Sequence, residues 1–335
     1  MNVGIYFDLR NAPPWPQDPA RLYGFTLELC EEAEHLGTHS VWLSEHHLFD
    51  DGYLPQPLTF AAAVAARTRH TRIGTAVLLA PLHHPVEIAE QVAVVDLVSD
   101  GRLELGLGAG YRAPEFELMG VDLAQRYRLT DTRVAELRAI WAEGRVTPAP
   151  VQPRIPIWLG YQGPQGARRA GRMGEGLLSA TAALSEPYAE GLREGGHDPE
   201  SGRMAGSFQG FVTDDPERDW PEVSRHLAYQ LDSYRRYMVE GTDAPVPRPV
   251  DPERVRARDS DAPLASFVYG TPDEVANTVR ARTAGAPVET VFFWVSIGGM
   301  SEAMSRQHME TLCTRLAPLL ADSSLGEPSI SAPRG

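Results

Sequence analysis

The hydrophobic positions of this chain fall into two kinds of segment that alternate along its length. Short apolar runs are typical of buried strands, whereas longer segments repeat apolar residues every three or four positions, as amphipathic helices do. Leu22, Phe25 and Leu29 show this helical spacing. The short runs predict eight strands, at residues 2–8, 40–44, 72–79, 102–107, 155–160, 176–179, 205–213 and 289–295.

A helical pattern follows each predicted strand. This strict alternation is typical of the α/β class, and it favours a closed (β/α)₈ barrel, the TIM barrel, over an open doubly wound sheet. No internal boundary interrupts the alternation. We therefore predict a single barrel domain over residues 1–322.

Two segments fall outside the alternation. Residues 242–265 contain five prolines among charged residues and show little hydrophobic periodicity. A connection of this length is unusual in a compact domain unless it is a lid or a disordered loop, so we treat it as an insertion in the barrel. Residues 323–335 are rich in serine and proline, and we predict a flexible C-terminal tail there.

Composition and charge narrow the class of protein. The formal net charge of -14 argues against nucleic acid or an anionic membrane as a partner, since both favour a basic surface. No apolar run is long enough to span a membrane, and the first residues lack the pattern of a signal peptide. With only two cysteines, Cys30 and Cys313, placed far apart in helical patterns, we expect reduced thiols and a cytoplasmic protein.

The chain contains no lysine, so all 31 basic residues are arginine. This absence excludes chemistry that depends on a lysine side chain. Schiff-base catalysis, a pyridoxal phosphate lysine and a P-loop lysine are all ruled out.

A polar cluster begins where the second predicted strand ends. Glu45, His46 and His47 follow the apolar strand directly. In folds built from parallel strands, the carboxyl ends of the strands usually carry the chemistry. The loops after strands one to five are therefore expected to bring Asp8, the Glu45 cluster and three further loops to one face.

Metal binding is one interpretation of this cluster, because His83 and His84 add two more possible ligands at a neighbouring strand end. However, adjacent histidines on extended backbone point to opposite sides, and neither pair has the helical spacing of common zinc sites. We expect no metal. A purely structural role explains at least one histidine of each pair as well as a functional role does.

Two glycine-rich loops suggest ligand contacts. Residues 106–110 follow the fourth strand, and they allow either close packing of strands or a flat ligand against bare backbone. A dinucleotide-binding fingerprint is not supported here, because the acidic residue expected at a following strand end is missing. Residues 160–166 precede a helix, where free N–H groups favour a phosphate, although an ordinary turn has the same pattern.

These motifs together resemble one family. Glu45-His46-His47 stands after a short strand, Gly74-Thr75-Ala76-Val77 precedes Pro81 and His84-Pro85, and Gly101-Arg102-Leu103 leads to Gly108, Gly110 and Glu115-Phe116. The late Gly270-Thr271-Pro272-Asp273-Glu274 also fits. In this order, over nearly the whole chain, they resemble the bacterial luciferase-like flavin-dependent monooxygenases, a family of (β/α)₈ barrels.

The resemblance implies a chemistry. A separate flavin reductase supplies reduced FMN, oxygen adds at flavin C4a, and the resulting peroxide oxygenates a small organic substrate. His46 is then the catalytic histidine, which donates a proton and stabilises the peroxide or its product, and histidine suits this role. Glu45 supports the ring system of the flavin beside it.

The resemblance also places the cofactor and a partner. Ala76-Val77 matches a non-prolyl cis peptide beside the flavin ring, and Gln162, Gly163 and Gly166 match the phosphate loop. The 242–265 insertion falls where luciferases carry a mobile lid. Members of the family usually pair through helices next to strands two and three, so a homodimer is expected.

The sequence departs from the luciferase pattern near the flavin. Ala109 replaces a flavin-contacting arginine and Gly108 a reactive cysteine, so Arg112 is expected to reach in, or phosphate binding is weaker, or the cofactor differs. Relatives that transfer hydride with 8-hydroxy-5-deazaflavin share a stretch like Gly108-Ala109-Gly110-Tyr111. A deazaflavin-dependent dehydrogenase or reductase is therefore the alternative, and a non-catalytic flavin-binding protein is a further one.

Aromatic residues near the strand ends suggest the substrate pocket. Phe7, Tyr53 and Trp294 are expected to line it, which favours a largely apolar substrate, although packing of the barrel core explains such residues equally well.

Overall fold

The structure is a computed structural model, and it describes residues 1–255 and 267–321. The predicted tail at 323–335 and residues 256–265 of the predicted insertion lie outside the described residues. No helix within the described ranges is both long and apolar enough to cross a membrane.

Parallel strands form the centre of the molecule. The strands of the described chain are β1 (Asn2–Phe7), β2 (Ser40–Leu43), β3 (Arg72–Thr75), β4 (Leu78–Leu79), β5 (Leu103–Gly108), β6 (Ile157–Leu159), β7 (Gly176–Leu178), β8 (Met204–Phe208), β9 (Gly210–Val212), β10 (Val268–Gly270) and β11 (Val288–Trp294). Hydrogen bonding runs in the order β3-β2-β1-β11-β8-β7-β6-β5-β4, and β3 also pairs with β5, which closes the sheet. The predicted (β/α)₈ barrel is thereby confirmed.

Helices surround the barrel. They are α1 (Pro19–His35), α2 (Pro57–Arg67), α3 (Pro85–Ser99), α4 (Ala113–Leu118), α5 (Arg126–Ala142), α6 (Gly163–Arg172), α7 (Ser185–Glu194), α8 (Pro216–Val239), α9 (Pro272–Thr283), α10 (Glu302–Thr311) and α11 (Ala317–Ala321), the last two joined by the π-helical turn Leu312–Leu316. The short α4 was not predicted, because six residues carry too little periodicity to be recognised in the sequence.

Capping residues start several helices where the sequence indicates. The Thr271 hydroxyl caps α9 by accepting from the backbone N–H of Glu274. The Glu274 carboxylate accepts from the backbone N–H of Thr271, which completes a capping box, and Pro272 occupies the first helical position. Asp18 caps α1 by accepting from the backbone N–H of Ala20.

Two predicted strands are each divided. The expected strand 72–79 is split into β3 and β4 by a cis peptide between Ala76 and Val77. The expected strand 205–213 is split into β8, which belongs to the barrel, and β9, which pairs with β10 outside it. The short strand β10 was not predicted from the sequence.

Large aromatic side chains fill the inside of the barrel. Trp42 of β2 stacks on Phe292 of β11, with ring centroids 4.6 Å apart. Glycines on the neighbouring strands make room for the tryptophans, since a Cβ at Gly74 would lie 2.3 Å from Trp42 and one at Gly176 would lie 2.4 Å from Trp158. This layer supports the floor of the cavity described below.

The described part of the insertion packs on α8. Val250 and Val255 are buried against Leu227 and Leu231 of that helix. The backbone N–H of Val250 donates to the Asp232 carboxylate at 2.7 Å. Residues 242–255 therefore cover the outside of α8.

Arg102, from the Gly-Arg-Leu motif, joins the ends of two helices. Its guanidinium donates to the carbonyl oxygens of Ala65 and Thr68 at the end of α2, of Thr71 just before β3, and of Ser99 at the end of α3. These acceptors would otherwise be buried carbonyls without a partner, and such groups are costly. The motif arginine is therefore structural.

We predict that Arg102→Met lowers the free energy of unfolding by about 3 kcal/mol or more, since several buried acceptors lose their donor. Arg145→Met is the control, because Arg145 is well exposed and, among the described residues, its side chain pairs only with exposed Glu143. Its effect should stay below about 0.5 kcal/mol in the same urea titration. Equal stabilities of the two variants would show that Arg102 has no such role.

Candidate active site

A cavity of about 360 Å³ opens at the carboxyl ends of the strands. The predicted site residues that line it are Glu45, His46, Tyr53, Ala76, Val77, Gly108, Gly110, Tyr111, Gln162 and Trp294. They come from the ends of β2, β3, β5, β6 and β11 or from the loops that follow. The loops after successive parallel strands therefore meet here, as expected of a barrel.

Phe7, predicted for the substrate pocket, lies elsewhere. Successive residues of a strand point to opposite faces, so Tyr6 faces the cavity and Phe7 faces away. Phe7 lines a separate interior cavity beneath α1, together with Leu22 and Phe25. The sequence pattern identified the strand end, but the inward residue is one position earlier.

Arg112, predicted to contact the cofactor, binds the protein instead. Its buried guanidinium donates to the backbone carbonyls of His47 and Leu48 and pairs with Glu240, just beyond α8. It also lies 4.6 Å from the ring centroid of Tyr237. Arg112 therefore ties the loop after β2 to the end of α8 and does not line the cavity.

The predicted phosphate loop forms the start of α6. Gln162 is the N-cap residue but its side chain makes no capping hydrogen bond, so the first N–H groups of the helix are open to an anion. Gly163 has a φ of +69° and open space where a Cβ would stand. Gly166 instead allows close packing, since a Cβ there would lie 2.7 Å from the Tyr161 Cβ.

The cavity wall near β5 is close-packed protein. The predicted cis peptide at Ala76-Val77 is confirmed. A Cβ at Gly108 would lie 2.3 Å from the Val77 side chain, and one at Gly160 would lie 2.7 Å from it. Both glycines let the backbone pack closely against Val77. The Val77 side chain lines the cavity at that wall.

The two adjacent histidines point in opposite directions, as expected of extended backbone. His46 turns to Glu115, whose Oε1 lies 2.8 Å from His46 Nδ1. His47 turns to Glu45, whose Oε1 lies 2.8 Å from His47 Nε2. Each ring is therefore held by its own buried carboxylate.

Glu45 is the centre of a buried hydrogen-bond network. Its Oε1 also accepts from His83 Nε2 at 2.6 Å, and its Oε2 accepts from the backbone N–H of Leu79 at 2.6 Å. Burial disfavours the charged carboxylate, but the hydrogen bonds from His47, His83 and Leu79 outweigh it, so the pKa of Glu45 is lowered. Burial likewise opposes the charge of His83, and Glu45 reverses this and raises the pKa of His83.

These three residues also meet the geometric requirement for a metal site. Glu45, His47 and His83 offer ligand atoms within 4.8 Å of one another. Both imidazole nitrogens approach the same carboxylate oxygen at hydrogen-bond distance, so hydrogen bonding accounts for the arrangement. His47 and His83 therefore hold Glu45 in place, which matches the structural interpretation for one histidine of each pair.

His46 faces the cavity. With Glu115 accepting at Nδ1, the proton of the neutral ring lies on Nδ1 and Nε2 points towards the cavity, 3.4 Å from the Tyr111 hydroxyl. The ring stacks on Phe49, with centroids 4.7 Å apart. This arrangement fixes one nitrogen and leaves the other for proton exchange.

Glu115 was not predicted as a site residue, although it stands in a motif that the sequence analysis noted. It is fully buried, and its Oε1 also accepts from the backbone N–H of His47 at 2.8 Å. Its Oε2 has no hydrogen-bond partner among the described residues. Its place in the Glu115-Phe116 motif after the glycine-rich loop was the signal available in the sequence.

Trp294, which lines the cavity, is held by Asp8, the residue that follows β1. The indole N–H of Trp294 donates to Asp8 at 3.2 Å, so the tryptophan predicted for the pocket is oriented by a buried acid. Burial raises the pKa of Asp8 to about 6. Other lining residues that the sequence did not indicate include Tyr6 of β1 and Tyr234 of α8.

The chain is similar over most of its length to known monooxygenases. It is 26% identical to the oxygenase component of a flavin-dependent trigonelline monooxygenase of Acinetobacter baylyi, over 92% of this chain and 93% of that protein. The crystal structure of the monooxygenase RslO1 from Streptomyces bottropensis superposes with a TM-score of 0.78 at 25% identity, covering 95% of this chain and 99% of that one.

A second kind of relative matches about half of the chain. The F420-dependent glucose-6-phosphate dehydrogenase of Amycolatopsis mediterranei is 29% identical over 50% of this chain and 56% of that enzyme. The model of the luciferase-like monooxygenase family matches residues 1–289, and with the monooxygenase relatives it confirms the expected class of oxidoreductase. The chain therefore belongs to the luciferase-like monooxygenase family.

Proposed function

We propose that this protein is the oxygenase of a two-component monooxygenase, which uses reduced FMN from a separate reductase and O₂ to oxygenate a small organic substrate. The main support is the position of His46. Glu115 holds this residue at the wall of the cavity, with Nε2 facing inward. A relative named as an oxygenase component matches nearly the whole chain, which supports the two-component arrangement.

The residues at the cavity fit a flavin. The uncapped start of α6 at Gln162 and Gly163 would hold the phosphate through backbone N–H groups and the helix dipole. Ala76, Val77 and Gly110 would face the ring system. When bound, reduced flavin supplies the electrons that activate O₂.

His46 would move a proton at its Nε2 atom. Glu115 accepts from Nδ1, so the ring keeps its orientation whether or not Nε2 is protonated. Glu45 acts through its neighbours, because both of its oxygens are occupied by His47, His83 and Leu79. We propose it as a positioning residue for the cavity wall rather than a group that touches the reacting atoms.

A deazaflavin-dependent dehydrogenase is the second candidate, since an F420-dependent relative matches half of the chain. The start of α6 suits a phosphate of either cofactor. We favour FMN because the flavin-dependent relative matches 92% of the chain and the F420-dependent one 50%.

We also propose a cytoplasmic location for the enzyme.

Mixing the protein anaerobically with each reduced cofactor and then admitting oxygen distinguishes the candidates. We expect saturable binding of reduced FMN and, after oxygen is admitted, an absorbance change of the bound flavin in at least two kinetic phases. Tight binding of the reduced deazaflavin, with FMN oxidised no differently from free FMN, would contradict the proposal.

The His46–Glu115 pair gives a second prediction. We expect His46→Asn to lower turnover by about a hundredfold or more with little change in FMN affinity, because it removes the proton-transfer group. Glu115→Gln should lower turnover about tenfold, since it loosens the orientation of His46. The double variant should be no slower than His46→Asn, because both act through the same ring.

The control for this cycle is His84→Asn. His84 is exposed and caps α3, and asparagine can replace it as a cap. Its turnover should match the unaltered protein. Additive effects of the His46 and Glu115 substitutions would show that Glu115 does not act through His46.

We further propose that the protein forms a homodimer through α3. Val94, Leu97 and Val98 form an apolar outer face on this helix and are 46%, 42% and 47% exposed. An apolar helix face that is not covered by its own chain is suited to a second copy. The helix follows the third strand of the barrel, and the family resemblance implies pairing through helices next to strands two and three.

Val94→Glu combined with Val98→Glu should therefore weaken dimerisation by about tenfold or more, measured as a shift from dimer to monomer in light scattering across a dilution series. Val246→Glu is the control, because Val246 is 75% exposed in the segment after α8, away from α3. A dimer that survives the double substitution, or a wild-type monomer, would refute this interface.

A further inference from the structure

One wall of the cavity carries a group of tyrosine hydroxyls. Tyr6, Tyr53, Tyr111 and Tyr234 all line it, and they come from β1, the loop after β2, the loop after β5, and α8. Four separate elements thus bring phenols to one wall. We call these four residues the tyrosine wall.

The hydrogen bonds of the tyrosine wall leave capacity for a ligand. The hydroxyls of Tyr53 and Tyr234 lie 3.0 Å apart and either can be the donor, so only one of their two protons is used in the bond between them. Tyr6 donates to the carbonyl of Ala76 at 3.2 Å, which leaves its oxygen as an acceptor. Tyr111 lies 3.4 Å from His46 Nε2.

These phenols remain neutral. Burial raises the pKa of Tyr53 and of Tyr234 well above the ordinary value, so both keep their protons at working pH. A neutral phenol both donates and accepts a hydrogen bond, whereas a phenolate only accepts. A neutral phenol of the wall can therefore turn its proton towards a ligand that offers an acceptor.

The charged groups near the wall are already paired. The Arg10 guanidinium lies behind it, 5.2 Å from the ring centroid of Tyr234, and its side chain is inaccessible and bound to Asp51 and Ser233. Glu45 is occupied by its own hydrogen bonds. Among the described lining residues only His46 can carry a positive charge, and its Nδ1 is already paired with Glu115, so a charged substrate group would be costly to bury here.

We propose that the tyrosine wall binds an acceptor oxygen of a neutral compound, such as a ketone, and that it selects against hydrocarbons and carboxylates. A hydrocarbon would displace water from the phenols and offer them no acceptor, and such sites reject ligands that lack the matching group. This replaces the expectation of a largely apolar substrate. The inference rests on the proposed function only in taking this cavity as the substrate site.

Three probes of one shape test this. They are 4-methylacetophenone, p-cymene and 4-methylbenzoate, which share a para-methyl ring and differ in carrying a ketone, an isopropyl group or a carboxylate. Their dissociation constants are measured by calorimetry with the protein as purified and with the protein loaded with oxidised FMN. We expect the ketone to bind at least about tenfold more tightly than either of the others.

Substitutions assign the preference to the wall. In Tyr53→Phe combined with Tyr234→Phe, the preference for the ketone over p-cymene should disappear, because the pair loses its hydroxyls but keeps its rings. Tyr127→Phe is the control, since Tyr127 lines the same cavity near the phosphate loop, and it should leave the preference unchanged. Retention of thermal unfolding temperature by the double variant shows that it is folded.

The outcomes separate this inference from the proposed function. Equal or tighter binding of p-cymene or 4-methylbenzoate, no measurable binding of the ketone, or an unchanged preference in the double phenylalanine variant overturns the inference even if FMN binds. A ketone preference that depends on Tyr53 and Tyr234 supports it even if FMN fails to bind, in which case only the proposed function is lost.

Discussion

The hydrogen bond between the Glu115 carboxylate and His46 Nδ1 determines which atom the cavity wall offers for chemistry. It is 2.8 Å long and lies in the protein interior, where a charge-assisted bond is strong and a lost partner is expensive. The same carboxylate accepts from the backbone N–H of His47. One buried acid thus fixes both the ring and the chain that carries it.

A second carboxylate holds the opposite side of this wall. Glu45 joins His47, from the end of β2, to His83 and to the backbone of β4. Because extended backbone sends neighbouring side chains in opposite directions, the pair His46-His47 is held from both sides. The closed barrel makes this possible, since it brings the ends of β2, β4 and β5 to one face.

Much of the barrel was predictable because eight buried strands alternate with amphipathic helices over long stretches. The strand ends, and so the place of the cavity, follow from where apolar runs stop. Finer features of the fold could not be predicted from the sequence. One register step separates Tyr6 from Phe7, and the pairing of β9 with β10 depends on contacts distant in the sequence.

The site itself was predictable where a motif marks it. Glu45 and His46 stand in such a motif, but the partner of His46 is 69 residues away and Tyr234 lies on a helix with no local signal. Arg112 was expected at the cofactor because it could replace the charge missing at Ala109, yet Glu240 and two backbone carbonyls bind its guanidinium. Such competition is settled by packing, which the order of residues does not reveal.

If His46, held by Glu115, faces the bound flavin, its ring nitrogens must respond when the flavin binds. Nitrogen NMR of protein labelled with ¹⁵N-histidine, titrated anaerobically with reduced FMN, tests this directly, with the His46 signals assigned by their loss in His46→Asn. We predict that binding shifts the Nε2 signal of His46 and leaves the signals of exposed His84 unchanged. Saturable binding of reduced FMN with no change in the His46 signals would contradict it.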